Sequence, residues 1–201
     1  MANTHNLLEG PLRSGATIVH VYSDRTIAFL YDGSNEAQIR ESDPAILKDE
    51  DSADDAATQE LIQDGVLLAY VMEDDGGIDA EVIVGAPLSD EELAQGCWKT
   101  PQRGYLQLPT GRLMIHSYST IPMGDNEGEE LEEEGHLLET TAGEYVVTIY
   151  RKDWATMARK GLIEEDWKEE DGRTNDIIVL THGDEVELEH PPTTILFDEL
   201  L

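Results

Sequence analysis

Apolar and polar residues alternate with a period of two along most of this chain, a pattern that predicts strands with one buried face. Short turns rich in Gly, Pro, Asp and Ser separate the alternating runs. We expect each turn to join its two neighbours into a hairpin. The five predicted hairpins are 16–22 with 26–30, 65–72 with 78–84, 105–108 with 112–118, 136–140 with 144–150, and 176–181 with 185–189. Together they predict a mostly β fold, an antiparallel β-sandwich with a few short helices.

Three segments carry helix signals instead. Residues 54–63 have the period of a short helix. Ser89 begins a Ser-Asp-Glu-Glu sequence that is close to a capping box, and it predicts a helix over 90–95. Asp153 can cap a helix over 154–160, and Gly161 would end that helix.

The length and the acidic runs predict one domain with exposed loops. A chain of 201 residues is long enough for one large domain. Two blocks of like charge, near 49–55 and 124–134, are expected to repel themselves and to form solvated loops. We therefore expect a single β-sandwich domain over 1–201 with two acidic loops.

Acidic residues outnumber basic ones by 44 to 13, which gives a formal net charge of −31. Nucleic acid and anionic membranes are bound through Lys and Arg, so this excess argues against both as partners. A basic protein is the partner that such a surface attracts. The abundance of acid beside only five Lys is also typical of proteins that stay soluble at high salt.

No motif in the sequence carries a catalytic signature. Nucleophile elbows and phosphate-binding Gly-rich loops are absent, and the six His residues lack metal-ligand spacing. We interpret His116 as a hydrogen-bonded structural residue within a strand. Cys97 is the only cysteine, and we interpret it as a packed structural side chain. We therefore assign no catalytic residue, no cofactor and no metal ligand. Without an export signal or a long apolar stretch, we expect a cytoplasmic protein.

Two groups of residues are candidates for partner binding. Trp154 and Trp167 have helical spacing, which is typical of packing on a sheet. Trp beside Lys152 and Arg159 is also typical of interface hot spots, so both interpretations stay open. The second acidic loop could face a basic partner through Glu129, Glu130, Glu132 and Glu133.

Three segments resemble a known family. They read Ala-Pro-Leu-Ser-Asp-Glu-Glu at 86–92, Gly-Tyr-Leu-Gln-Leu-Pro-Thr-Gly-Arg-Leu at 104–113, and Ala-Gly-Glu-Tyr-Val-Val-Thr-Ile-Tyr at 142–150. Over residues 64–154 the chain is similar to small bacterial β-sandwich proteins, the competence protein J group of nuclease inhibitors and their relatives. The resemblance implies a protein that binds and inhibits a partner nuclease and has no chemistry of its own. It assigns no inhibitory residue.

Three functional hypotheses follow from the sequence. The first is a non-enzymatic acidic protein that binds a partner protein, of the inhibitor or immunity type. The second is a hydrolase that uses clustered carboxylates with a divalent cation. The third is a soluble domain whose acidity is an adaptation to high salt and whose function lies elsewhere on its surface.

Overall fold

Nine strands in two sheets occur in the part of the chain that the computed structural model describes, residues 12–22, 26–47, 55–72, 77–118, 121, 135–163, 174–183 and 195–197. The strands are β1 (Thr17–Tyr22), β2 (Ile27–Asp32), β3 (Leu67–Val71), β4 (Gly77–Val84), β5 (Gln102–Leu108), β6 (Arg112–Ser117), β7 (His136–Glu139), β8 (Gly143–Arg151) and β9 (Asp176–His182). One sheet has the order β1-β4-β9-β8-β5, and the other has the order β3-β2-β6-β7. The strand pairs are antiparallel except β4 with β9.

The two sheets share one apolar interior, which confirms the predicted antiparallel β-sandwich. Leu106 and Leu108 of β5 and Leu113 and Ile115 of β6 are fully buried there. Both β2 and β3 are buried along their whole length, so each is covered on both of its faces. Strand β8 is likewise buried over 145–151. Other elements therefore cover the outer faces of these three strands, whereas β5 and β7 keep exposed residues on theirs.

Four of the five predicted hairpins are wrong, because the turns carry the chain from one sheet to the other. Strands β1 and β2, β3 and β4, β5 and β6, and β7 and β8 lie in different sheets. The strands that pair with their neighbours in sequence are joined by longer connections, β2 to β3, β6 to β7 and β8 to β9. In the fifth case 176–181 lies within β9, and the predicted partner 185–189 lies outside the described residues.

The period-two pattern cannot separate a hairpin from such a crossing turn. Alternation states which residues share a face, but it does not state which way the hydrogen-bonding edge of the strand points. Around the turn 109–111, Leu108 and Leu113 both point into the interior, from opposite sheets.

A buried carboxylate holds the turn 109–111 in place. Asp32, at the end of β2, accepts hydrogen bonds from the backbone N–H groups of Ser34, Thr110 and Arg112 and from the hydroxyls of Ser34 and Thr110, at 2.6–3.3 Å. Burial alone would raise the pKa of Asp32, but the hydrogen bonds from Ser34 and Thr110 favour the ionised form and lower it. The carboxylate thus ties the crossing turn to the four-stranded sheet.

Gly111 is required in the same turn. Its φ is 72°, and a Cβ at this position would overlap the carbonyl oxygen of Thr140. The Thr140 N–H donates to the Gly111 carbonyl at 2.7 Å. The two crossing turns at 109–111 and 140–142 are therefore in direct contact.

The described residues form four α-helices, α1 (Glu36–Ser42), α2 (Ala56–Gln63), α3 (Asp90–Leu93) and α4 (Trp154–Arg159), and two 3₁₀ helices, Gly33–Asn35 and Ala45–Leu47. The three predicted ones are confirmed, with Asp55 capping α2, a complete capping box of Ser89 and Glu92 on α3, and Asp153 capping α4. The sequence analysis missed α1. Asn35 precedes it, but its side chain makes no capping bond.

The described parts of the connection between β2 and β3, residues 33–47 and 55–66, cover these two strands on the outer face of the four-stranded sheet. Their buried side chains Ile39, Ile46 and Leu61 belong to the main core. The Tyr31 phenol lies beneath α1, and burial, followed by the nearby Glu36 carboxylate, raises the pKa of this phenol. Both helices are thereby anchored to the sheet.

Two expectations concern residues that the structure describes only in part. The predicted acidic loop 49–55 lies outside the described residues except for Asp55, and the loop 124–134 lies outside them entirely. The single domain over 1–201 stays a prediction. Among the described helices, none has the length and apolar character needed to cross a membrane.

We predict that Asp32→Ala lowers the free energy of unfolding by about 3 kcal/mol, because it leaves buried N–H groups of the turn without their acceptor. Glu41→Ala, which removes an exposed carboxylate from α1, should change it by less than about 0.5 kcal/mol. Urea unfolding of both variants measures the difference. Equal, small effects would show that the Asp32 carboxylate does not hold the turn.

We predict that the ion pair between Arg13 and Glu92 makes a pH-dependent contribution to the free energy of unfolding. The two side chains lie 2.6 Å apart (Nε to Oε1). The hydrogen bond from Arg13, against the opposing effect of burial, lowers the pKa of Glu92 to about 2. Because the pKa of Glu92 is lower in the folded state than its unfolded value of about 4.3, the ionised carboxylate stabilises the fold at any pH above that value. This stabilisation is lost as the pH falls towards 2. The stability difference between the wild type and Glu92→Gln should therefore be constant above pH about 5 and shrink below it. A difference that does not change with pH would contradict the assignment.

Candidate protein-binding surface

The cover over the four-stranded sheet is strongly acidic. Among the described positions of the connection, 33–47 and 55–66, six residues are acidic and one, Arg40, is basic. Arg40 forms an ion pair with Glu36 at 3.0 Å, one helical turn away. We define the acidic cover as the carboxylates on and directly after α1 and α2, namely Glu36, Glu41, Asp43, Glu60 and Asp64.

Helix geometry directs these carboxylates outward. In α2 the buried residues Leu61 and Ile62 face the core, while Glu60 and Asp64 are exposed. In α1 the single buried residue is Ile39, and Glu41 is exposed. The acidic cover therefore rests on helices whose apolar sides are fixed by packing.

Several of these carboxylates occupy positions that lower the stability of their helices. Glu60 and Asp64 are spaced i,i+4, where like charges destabilise a helix by about 0.2–0.5 kcal/mol. Asp43 and Asp64 follow the C-terminal ends of α1 and α2, where the helix dipole disfavours negative charge. Helix stability gives no reason for the pair of Glu60 and Asp64. Asp43 differs, since its φ of 48° lies in the left-handed region, where Asp is one of the favoured residues.

Trp154 lies on the opposite side of the molecule, over the five-stranded sheet. It is half-buried at the start of α4, and its indole N–H donates to Asn175 Oδ1 at 2.9 Å. Lys152 does not flank it on the surface, since its Nζ is buried 5.4 Å from the centre of the indole ring. Arg159 folds back onto its own helix and donates to Thr156 Oγ1 at 2.6 Å. The described contacts are those of a packed side chain whose outer part stays accessible.

The other candidates for partner binding cannot be placed. Trp167, Glu129, Glu130, Glu132 and Glu133 lie outside the described residues. Their roles stay predictions. The structure adds the acidic cover as a further candidate for partner binding. Its residues on α1 were missed because that helix was not predicted. The signal that could have found it is the excess of acid over base between positions 36 and 64.

Two basic residues at the end of β8 are buried in ion pairs, one on each face of the sheet. Arg151 points into the sandwich and binds Asp176 through Nε and Nη2 at 2.8 and 3.0 Å. Lys152 points to the outer face, where its Nζ donates to the Thr174 carbonyl and hydroxyl at 2.8 Å and lies 3.7 Å from Glu81 Oε1. Burial lowers the pKa of Lys152, although Glu81 and Asp176 oppose this effect.

These pairs leave the surface charge unchanged. Each removes one acid and one base from solvent, so neither pair changes the net charge. Two of the few bases that could offset the acidic surface are thus unavailable to a partner.

The described residues contain little that suggests metal or thiol chemistry. Among them, no group of three or more His, Cys, Asp or Glu side chains is arranged to hold a metal ion. His116 is buried and stacks on Tyr31, with ring centres 6.0 Å apart. Cys97 is buried, and its Sγ lies 3.4 Å from Lys160 Nζ.

Comparison with known proteins gives structural neighbours only. No family model and no curated protein matches the sequence. A solved structure titled "Crocagin biosynthetic gene J" shares 15% identity at a TM-score of 0.49, and the match covers 84% of this chain and 99% of that one. ComJ from Bacillus subtilis, titled an inhibitor of the DNA degrading activity of NucA, shares 9% identity at a TM-score of 0.43 with the same coverage.

The predicted resemblance to the competence protein J group is therefore confirmed, since a structural neighbour bears that name. The match extends over 84% of the chain, more than the segment 64–154 on which the resemblance was based. At these identities and TM-scores, neither similarity carries information about the function of this chain.

We predict that Arg151→Met destabilises the fold by about 3–5 kcal/mol, because it leaves the Asp176 carboxylate buried without its partner. The double variant Arg151→Met/Asp176→Leu should recover most of this loss, since it removes both charges. A double-mutant cycle from urea unfolding checks the coupling. If the double variant is no more stable than Arg151→Met, the two side chains are not energetically paired.

Proposed function

We propose that this protein is a non-enzymatic binding protein of the inhibitor or immunity type, and that its acidic cover docks on a basic surface of a partner protein. The observation that carries the proposal is the acidic cover itself, five carboxylates with one base, Arg40, on the described positions of the same connection. The i,i+4 placement of Glu60 and Asp64 supports it, because helix stability does not account for this pair.

The acidic cover lies on helices that are fixed by packing, and this favours binding. Carboxylates on packed helices lose less side-chain and backbone freedom on binding than carboxylates on free loops do. A fixed negative face also steers a positively charged partner into place and raises the association rate. A groove lined by Lys and Arg, such as one that normally receives nucleic acid phosphates, has the matching charge. The cover would occupy such a groove in place of phosphate.

The partner can be sought by capture on the immobilised full-length protein at about 0.1 M and about 1 M salt, where the Debye length falls from about 10 Å to about 3 Å. We expect a basic protein that is retained at low salt and released at high salt. Association kinetics with that purified partner then test which face is used.

We predict that Glu41→Gln/Glu60→Gln/Asp64→Asn lowers the association rate about tenfold, because three charges leave the steering face. The matched control Asp90→Asn/Glu91→Gln/Glu144→Gln removes three exposed charges from α3 and the five-stranded sheet, and it should change the rate less than about threefold. Equal effects of the two triple variants would locate the interaction elsewhere. Retention of no basic protein, or retention that salt does not weaken, would contradict the proposal.

The two other hypotheses give different results in the same experiments. A protein whose acidity only adapts it to high salt would retain no specific partner, and its unfolding free energy would rise steeply with molar salt. A carboxylate hydrolase would require a divalent cation for any effect on its target.

A further inference from the structure

A buried hydroxyl lies beneath the acidic cover without a hydrogen-bond partner. Tyr31 of β2 is 1% exposed, and its ring stacks on His116. The Glu36 carboxylate and the Arg40 guanidinium of α1 are both close enough to act on this phenol electrostatically. Its oxygen is buried, and no group in the described part of the chain bonds to it. Such a hydroxyl is uncommon, because nothing offsets the loss of its hydration, and it indicates a second state in which the hydroxyl is bonded.

The carboxylate beside this hydroxyl is only partly used. Glu36 Oε1 accepts a hydrogen bond from Arg40 Nη2 at 3.0 Å. Among the described residues this is the only hydrogen bond to the Glu36 side chain, so its second oxygen has no donor there. A guanidinium can hold both oxygens of a carboxylate at once through two parallel N–H groups. The contact with Arg40 therefore leaves half of the Glu36 carboxylate available.

Arg40 is a weak competitor for this carboxylate. The side chains of Arg40 and Glu36 are 43% and 42% exposed. Exposed ion pairs one helical turn apart contribute little to stability, because water and salt screen them and both side chains lose freedom. A guanidinium that arrives from outside can therefore exchange with Arg40 while α1 stays in place.

We propose that an arginine of the basic partner replaces Arg40 on Glu36, and that the Tyr31 hydroxyl then donates to the same carboxylate from below. A carboxylate has about four lone-pair sites, so it can accept from both groups. Arg40 is thus an internal competitor that occupies Glu36 until the partner binds. An arginine suits this site better than a lysine, since an ammonium is a point charge that lacks the planar fork. This inference rests on the function proposed for the acidic cover, and it names the partner side chain that contacts Glu36.

NMR titration of the full-length protein with N-acetylargininamide tests the competition. The dissociation constant is measured at the Glu36 amide, so that other acidic sites do not enter it. Arg40→Gln should lower this constant about threefold or more, whereas the constant for N-acetyllysinamide should fall less than about twofold. The matched control Arg159→Gln removes an exposed base from α4 and should change neither constant. Equal gains for the two compounds, or no gain for the arginine compound, would contradict the proposal.

Tyr31→Phe tests the part of the hydroxyl. The constant for N-acetylargininamide should rise about threefold in this variant, because the second donor to Glu36 is missing from the complex. The urea midpoint of the free protein should not fall, since the hydroxyl has no partner to lose there. An unchanged dissociation constant would show that the hydroxyl takes no part in the site.

Failure of this inference and failure of the proposed function give different results. The triple variant at Glu41, Glu60 and Asp64 leaves Glu36, Arg40 and Tyr31 in place. If that variant slows association with the captured partner but Arg40→Gln does not tighten the arginine compound, the acidic cover binds and the competition is wrong. If no basic protein is captured while Arg40→Gln still tightens the arginine compound, the guanidinium site stands and the proposed function is wrong.

Discussion

At its tight turns the chain crosses from one sheet to the other, and the rest of the structure depends on this constraint. Because four short connections each join a strand of one sheet to a strand of the other, the two sheets cannot form independently and must assemble around their shared interior. The polar groups in that interior lie near the ends of strands, where the chain has to be held. Asp32 fixes a crossing turn, and the pair of Arg151 with Asp176 lies beside the edge of β3.

The same architecture separates the charges of the molecule. The structure buries Lys152 and Arg151 in ion pairs and exposes Glu41 and Glu60 on helices that cover the four-stranded sheet. These exposed carboxylates thereby lie on a packed layer. Such a face can orient a basic partner, which a solvated loop of the same charge does less well.

Local signals in the sequence predicted local structure correctly. The capping box of Ser89 and Glu92 and the cap at Asp153 marked the starts of two helices, because a cap is decided by a few adjacent residues. The sandwich was also predicted, since period two requires half-buried strands. The partners of the strands were not, because alternation is the same in a hairpin and in a crossing turn. That choice depends on distant contacts such as the one between Asp32 and Thr110, 78 positions apart.

The sequence predicted the charge of the candidate site but not its position in the fold. The charge of the chain indicated a basic partner, but the face that would meet it depends on α1, which has one buried residue, Ile39, and no capping side chain at Asn35. Lys152 also looked accessible in the sequence, because it stands beside Trp154. It follows β8 directly, and only the approach of Glu81 and Thr174 shows that it is buried.

The most direct test of this account is the hydrogen-exchange footprint of the complex with the basic partner captured at low salt. The account predicts slower exchange in the α1 and α2 backbone, within 36–64, and no change in α3, α4 or β7. Protection confined to the outer side of the five-stranded sheet, around Trp154, would contradict it.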